Sequence, residues 1–199
     1  MRFRLIYEGK LLSASSSSES NGKKDIRKKI LKCFHDQLDQ LWKTNSFLRA
    51  GEISGPQPES YFETKFPKLE AKLTEVESLS FQPLVRPDLH LSLSLEILLL
   101  TRNVDSGVFH DGDIDNQVKF LVDCLRVPSP EQIDSNWQGK IPRPCIVLMD
   151  NDKAITSLKV EKDTLLKPKE ASSAASESIV LIDVNIKPYQ LNFGNFGFG

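Results

Sequence analysis

The sequence predicts an α+β domain, a mixed β-sheet with two main helices packed on it. Three observations lead there. Leu89 to Ile97 alternates apolar and polar residues without a miss, the pattern of a half-buried strand. Two stretches, Lys24 to Lys43 and Asp115 to Arg126, repeat apolar residues at helical spacing. The elements run strand, helix, irregular segment, strand, helix, two strands, linker and strand, a mixed order with a central hairpin.

Taken in order, Arg2 to Tyr7 (RFRLIY) alternates charge and apolar side chain and reads as the first strand. Residues 12–23 are Ser-rich and polar, a flexible insert with nothing to bury. In the first helix Ile26, Ile30, Leu31, Phe34, Leu38, Leu41 and Trp42 form one stripe, the expected core face. Residues 47–88 carry prolines and glycines at a density that argues for irregular structure with short pieces of element, one of them a short helix over Lys68 to Ser78. The strong strand at Leu89 to Ile97 leads into a loop, Arg102 to Gly112. The second helix follows, with Val118, Leu121, Val122 and Leu125 inward, and Pro128 and Pro130 stop it. Residues 131–142 read as loop. Cys145 to Met149 (CIVLM) is a buried strand, and Ile155 to Val160 its hairpin partner across Asp150-Asn151-Asp152-Lys153. This organises the chain into a main domain over 1–165, a linker over 166–178, a C-terminal strand over 179–187 and a Phe/Gly tail over 188–199, expected to be disordered.

At 199 residues, 39% hydrophobic and 27% charged, the chain is long enough for one domain with its own core. The longest apolar run, near Ile97, is far short of a membrane span, and charges interrupt the N-terminal apolar residues, so neither membrane insertion nor a signal peptide is expected. Three scattered cysteines with no C-x-x-C and three dispersed histidines argue against a zinc site and suit a reducing, cytoplasmic setting. Residues 1–50 hold 11 Lys/Arg against 5 Asp/Glu, the remainder 15 against 22. A basic segment on an acidic body suits a protein that meets phosphates in one place and holds a metal in another; a solvated basic helix explains the same charge.

The chemistry-bearing segment is His110-Asp111-Gly112-Asp113-Ile114-Asp115-Asn116. Carboxylates spaced by two repel one another unless a cation or protons intervene. Oxygen ligands with no nearby cysteine favour Mg²⁺, Mn²⁺ or Ca²⁺. Helix capping accounts for one of these aspartates but not for three. A calcium loop fails, because Asn116 stands where that loop needs Gly and Val122 where it needs a bidentate Glu. Asp115, Lys119 and Asp123 lie four apart on one face of the second helix, either a surface ion-pair ladder or a lysine held beside metal-binding aspartates.

Residues 112–125 (GDIDNQVKFLVDCL) resemble the D-x-D-N-x-x-K-x-x-x-D-x-L signature of the RusA-type Holliday junction resolvases. Leu148 to Ile155 (LMDNDKAI) resembles the second acidic segment of that family. The resemblance covers residues 113–160; the N-terminal strand and helix fit only by order. It implies a homodimeric, Mg²⁺- or Mn²⁺-dependent endonuclease that cuts branched DNA by phosphodiester hydrolysis. Asp113, Asp115 and Asp152 would then be metal ligands and, with Lys119, the catalytic set. Asn116 would orient Asp115 or fix the helix start, and Asp123 would be structural. Asn151 stands where the family commonly has an aspartate, a loss that Asp150 would partly offset. Lys23, Lys24, Arg27 and Lys28 give the first helix a basic end that could track a DNA backbone. The alternative carried forward is a non-catalytic RusA-like DNA-binding protein.

Overall fold

The computed structural model describes residues 1–12, 21–49, 72–101, 114–166, 178–192 and 195–198. Residues 13–20 of the Ser-rich insert, the Arg102 to Gly112 loop, His110, Asp111 and Asp113, and most of the linker lie outside the described residues, while residues 21–23, read as the end of that insert, are instead helical. Strand β1 (Arg2–Gly9) is followed by helix α1 (Asn21–Thr44) and the short α2 (Ser46–Arg49). Then come β2 (Thr74–Val76), β3 (Leu79–Val85) and β4 (Leu91–Thr101), helix α3 (Ile114–Leu125), and β5 (Cys145–Met149), β6 (Ile155–Thr164) and β7 (Ser178–Pro188). The fold is α+β, as the sequence predicts, but with two sheets instead of one. The larger has the order β1-β7-β4-β6 and the smaller β2-β3-β5.

The larger sheet shows why alternation is so regular in its strands. Leu91, Leu93, Leu95, Ile97 and Leu99 of β4 and Val180, Ile182, Val184 and Ile186 of β7 are buried on one face, while Glu96 and Asp183 point outward and are exposed. That face packs against Ile30, Phe34, Leu38 and Trp42 of α1 and Val118, Leu121 and Leu125 of α3 in one core. The sheet is mixed, antiparallel from β1 through β7 to β4 and parallel at β4–β6, and it keeps one face on the core and the other toward water. β7, which the sequence places behind a linker, lies between β1 and β4 and pairs antiparallel with both along its length.

The exposed edge of β1 is covered by α1. The Gln37 carboxamide accepts from Ile6 N at 2.9 Å and donates to Ile6 O at 2.7 Å, completing both backbone groups as a neighbouring strand would. Among the described residues, no helix is long and apolar enough to cross a membrane.

Four local expectations are corrected. First, β5 and β6 are not a hairpin. β5 pairs parallel with β3, while β6 pairs parallel with β4 in the other sheet. The backbone groups of β5 are also taken up locally: Ile146 N donates to His35 Nδ1 at 2.9 Å, and Met149 O accepts from Val127 N at 3.1 Å. Second, the described part of Lys68 to Ser78 is strand rather than helix. Glu77, at φ 54°, makes the tight turn that folds β2 back on β3. Third, residues 79–85 form a regular strand despite Pro83. β2 reaches only as far as Phe81, so no strand on that side asks Pro83 for a donor.

Fourth, residues 195–198 of the tail are docked. The Asn195 side chain is buried, donating to Leu89 O and Gln190 O at 2.7 Å each and accepting from Asn192 N at 2.9 Å. Phe198 is fully buried and meets the Phe47 ring edge-on at 5.3 Å.

Candidate active site

α3 and β6 face each other across the helix-bearing side of the large sheet. Between them runs a groove of about 530 Å³, lined by Asp115, Lys119 and Asp152 and walled by apolar residues of both elements. The register of β6 builds one wall. Ile155 pairs with Leu93, but a bulge then shifts the ladder by one residue, so that Leu158 pairs with Leu95 and Val160 with Ile97. Paired residues of parallel strands share a face, and a one-residue slip exchanges faces. The bulge thus brings Ile155, Leu158 and Val160 all to the helix side, where an unbroken register would have presented Ser157 and Lys159. Thr156, the extra residue, donates its hydroxyl to Leu93 O at 3.1 Å. Opposite them stand Ile114, Val118 and Val122, one per turn of α3.

The polar side chains enter from two distant segments. Asp115 lies in the first turn of α3, with Lys119 one turn on, and both are exposed. Asp152 opens the short 3₁₀ turn Asp152–Ala154 between β5 and β6. Asn151 shapes that turn, its Oδ1 accepting from Lys153 N at 3.1 Å while its Nδ2 donates to Asp150 Oδ2 at 3.4 Å. An aspartate at 151 could cap the turn equally well but would set a second negative charge against Asp150, which gives the asparagine a local physical reason. Among the described residues, Asp115, Lys119 and Asp152 make no ion pair, so their charges are not consumed by one another.

The remaining sequence candidates fall elsewhere. Asp113 lies outside the described residues, directly before Ile114 in the chain. Asn116 is half-buried in the first turn of α3. Asp123 pairs with Arg126 at 2.9 Å and does not line the groove. Asp150 lines a different cavity, on the other side of its turn.

The basic end of α1 is largely built into the fold. Arg27, 1% exposed, stacks its guanidinium 5.0 Å from the Phe120 ring centre and ties α1 to α3. Lys23 is buried, Lys24 donates to Ile133 O at 2.9 Å, and Lys28 pairs with Asp25 at 2.9 Å. Of these four, the buried Lys23 is corrected as a phosphate contact, and Arg27 is corrected from a phosphate contact to a core residue. Helical spacing alone did not separate its face from that of Lys28.

A divalent ion suits the donor set. Asp115 and Asp152 offer hard carboxylate oxygens in one groove, and Mg²⁺ is commonly held by one or two carboxylates with water and substrate phosphate completing its shell. Among the described residues, no three His, Cys, Asp or Glu side chains gather in one place. The apolar walls were not assigned to a site from sequence; the break in alternation at Ile155, Leu158 and Val160 was the available signal.

Compared with known proteins, the chain matches no family model, no curated protein and no solved structure.

Proposed function

We propose that this protein is a divalent-metal-dependent endodeoxyribonuclease of the RusA type, acting on branched DNA as a homodimer. One observation carries the reading. Three positions of the resembled motifs, Asp115 and Lys119 from one segment and Asp152 from another some thirty residues on, line a single groove. Residues that shared only a surface ladder would not need a partner from the β5–β6 turn.

The chemistry follows from these side chains. Asp115 and Asp152 would hold the ion, with Asp113 supplying a third carboxylate. When bound, a divalent ion lowers the pKa of water and neutralises phosphate charge. Lys119 then faces the negative charge that builds on the phosphoryl oxygens as water attacks phosphorus and the bond to the leaving oxygen breaks. A fixed cation there is worth about 10²–10³ in rate. A second reading, a DNA-binding relative without activity, draws on Asn151, whose carboxamide replaces a carboxylate at the turn.

The test is cleavage of a labelled four-way junction in Mg²⁺, beside a linear duplex, by wild type, Asp115→Asn and Lys119→Ala. Paired nicks on the junction alone, lost in Asp115→Asn and slowed about 10²-fold or more in Lys119→Ala, support the nuclease. Junction binding without cleavage in Mg²⁺ or Mn²⁺ supports the second reading, and neither binding nor cleavage rejects both.

A further inference from the structure

The two edges of the large sheet are finished differently. β1 is closed at Ile6 by the Gln37 carboxamide. β6, at the other end of the order β1-β7-β4-β6, pairs with β4 alone among the described residues. It is ten residues long, and apart from Ile155 and Val160 all of them are exposed. We propose that this edge pairs antiparallel with the β6 edge of a second copy of the chain, about a two-fold axis that passes through Val160 normal to the sheet. The proposal names the interface of the homodimer in the reading above, and it rests on that reading for its role on DNA.

Long edges are usually blunted by a bulge or by charge. Here the bulge at Thr156 lies at the start of β6, and the ladder is regular from Ser157 to Thr164. The charges are of both signs and in a self-complementary order. Lys159 and Glu161 flank Val160 on the face away from the helices and pair with each other at 2.9 Å. Antiparallel pairing about Val160 sets Lys159 opposite Glu161 of the partner subunit, and Glu161 opposite the partner's Lys159. The four charges then alternate, each with two neighbours of opposite sign, and opposite charges directly across a strand pair are favourable.

Charge also selects this register over its neighbours. An axis at Lys159, Glu161 or Lys162 would set that residue against its own copy, and like charges directly opposite are unfavourable. An axis at Ser157 or Leu158 would match no charges within the strand and would shorten the ladder. On the helix-bearing face, the axis at Val160 brings the two Val160 side chains together. It also sets Leu158, 45% exposed, opposite Lys162 of the partner subunit, whose methylene stem can cover it.

The arrangement has a consequence for the site. An axis normal to the sheet keeps the helix-bearing faces of both copies on one side. The two grooves, each walled by Leu158 and Val160, then open side by side over the paired β6 strands. Two cuts in one branched substrate need two sites presented on one face. The contact is isologous and closes as a dimer. A single strand edge is a small interface, so dissociation is expected in the micromolar range.

Sedimentation equilibrium across micromolar concentrations tests the interface without DNA. Wild type is expected to dimerise. Lys159→Glu and Glu161→Lys each turn both cross-strand pairs into like-charge pairs, and each is expected to weaken the dimer about tenfold or more. An equimolar mixture of the two variants restores opposite charges across the axis, and a heterodimer of about wild-type affinity is expected. General loss of stability would not be repaired by mixing, and melting curves verify that both variants fold.

A wild-type dimer that neither variant weakens, or two weakened variants that do not rescue each other, would overturn the β6 interface and leave dimerisation to another surface. A wild type that stays monomeric would overturn it too; if that monomer cuts the four-way junction, the nuclease chemistry stands without the dimer. A dimer that follows the charge-swap pattern but neither binds nor cuts the junction keeps the interface and rejects the nuclease reading.

Discussion

Replacing Phe198 by alanine tests whether the end of the chain belongs to the core. The side chain is fully buried and meets Phe47 edge-on at 5.3 Å. A buried Phe removes about 150–250 Å² from water, about 4–6 kcal/mol at ~25 cal/mol per Å². This is an upper bound, because an unfolded chain already hides part of that area. Measured Phe→Ala changes in cores cost about 3–5 kcal/mol. Here the tail can also undock, which removes the cavity but exposes Phe47 and strips Asn195 of its bonds to Leu89 and Gln190. We expect a loss of about 3–4 kcal/mol, read by urea unfolding as a lower midpoint at unchanged m-value, and a fall in Tm of about 10 °C. Gly197→Ala offers an independent check. A Cβ there would run into the Phe47 ring, and the overlap is expected to cost about 1–3 kcal/mol. A loss below about 0.5 kcal/mol in both variants, the size of an ordinary surface substitution, would refute the docked tail.

Other expectations follow from single contacts. His35 is held neutral by burial, which lowers its pKa, and its Nδ1 accepts from Ile146 N. As pH falls below about 6.5, the unfolded chain takes up a proton that the folded state resists. Stability therefore declines from pH 6.5 toward the lowered folded value and levels off beneath it; pH-dependent urea melts should show this decline in wild type and a flatter curve in His35→Gln. Gln37→Leu, which frees both backbone groups of Ile6, should cost about 1 kcal/mol, since water can replace the carboxamide at this exposed edge, and should raise self-association measured by sedimentation. Asn151→Ala should cost about 1 kcal/mol by removing the turn cap. If the groove holds a divalent ion, Asn151→Asp should tighten Mn²⁺ binding measured by calorimetry, and an unchanged affinity would separate this position from the metal.

Much of this fold was legible in local pattern. β1, β4, β7 and both long helices emerge from periods of two and 3.6, because each lies with one face on the core and one in water. Asp115 and Lys119 were readable as neighbours for the same reason, sitting one helical turn apart. β3 escaped because Pro83 argues against a strand and only the short reach of β2 makes it harmless. The docked tail escaped because Asn195 and Phe198 find their partners in Leu89 and Phe47, over a hundred residues away.

Sequence by itself determined which side chains share a face in β1, β4, β7 and α3 and along the apolar stripe of α1, but not in β6 or for Arg27. Only the tertiary structure decided that β5 and β6 belong to different sheets, that a bulge turns Leu158 and Val160 toward α3, and that Asp152 meets Asp115 and Lys119 in one groove. The physical reason is range. Periodicity is set by the backbone within a few residues, whereas strand pairing and register are set by which distant apolar faces can be buried together.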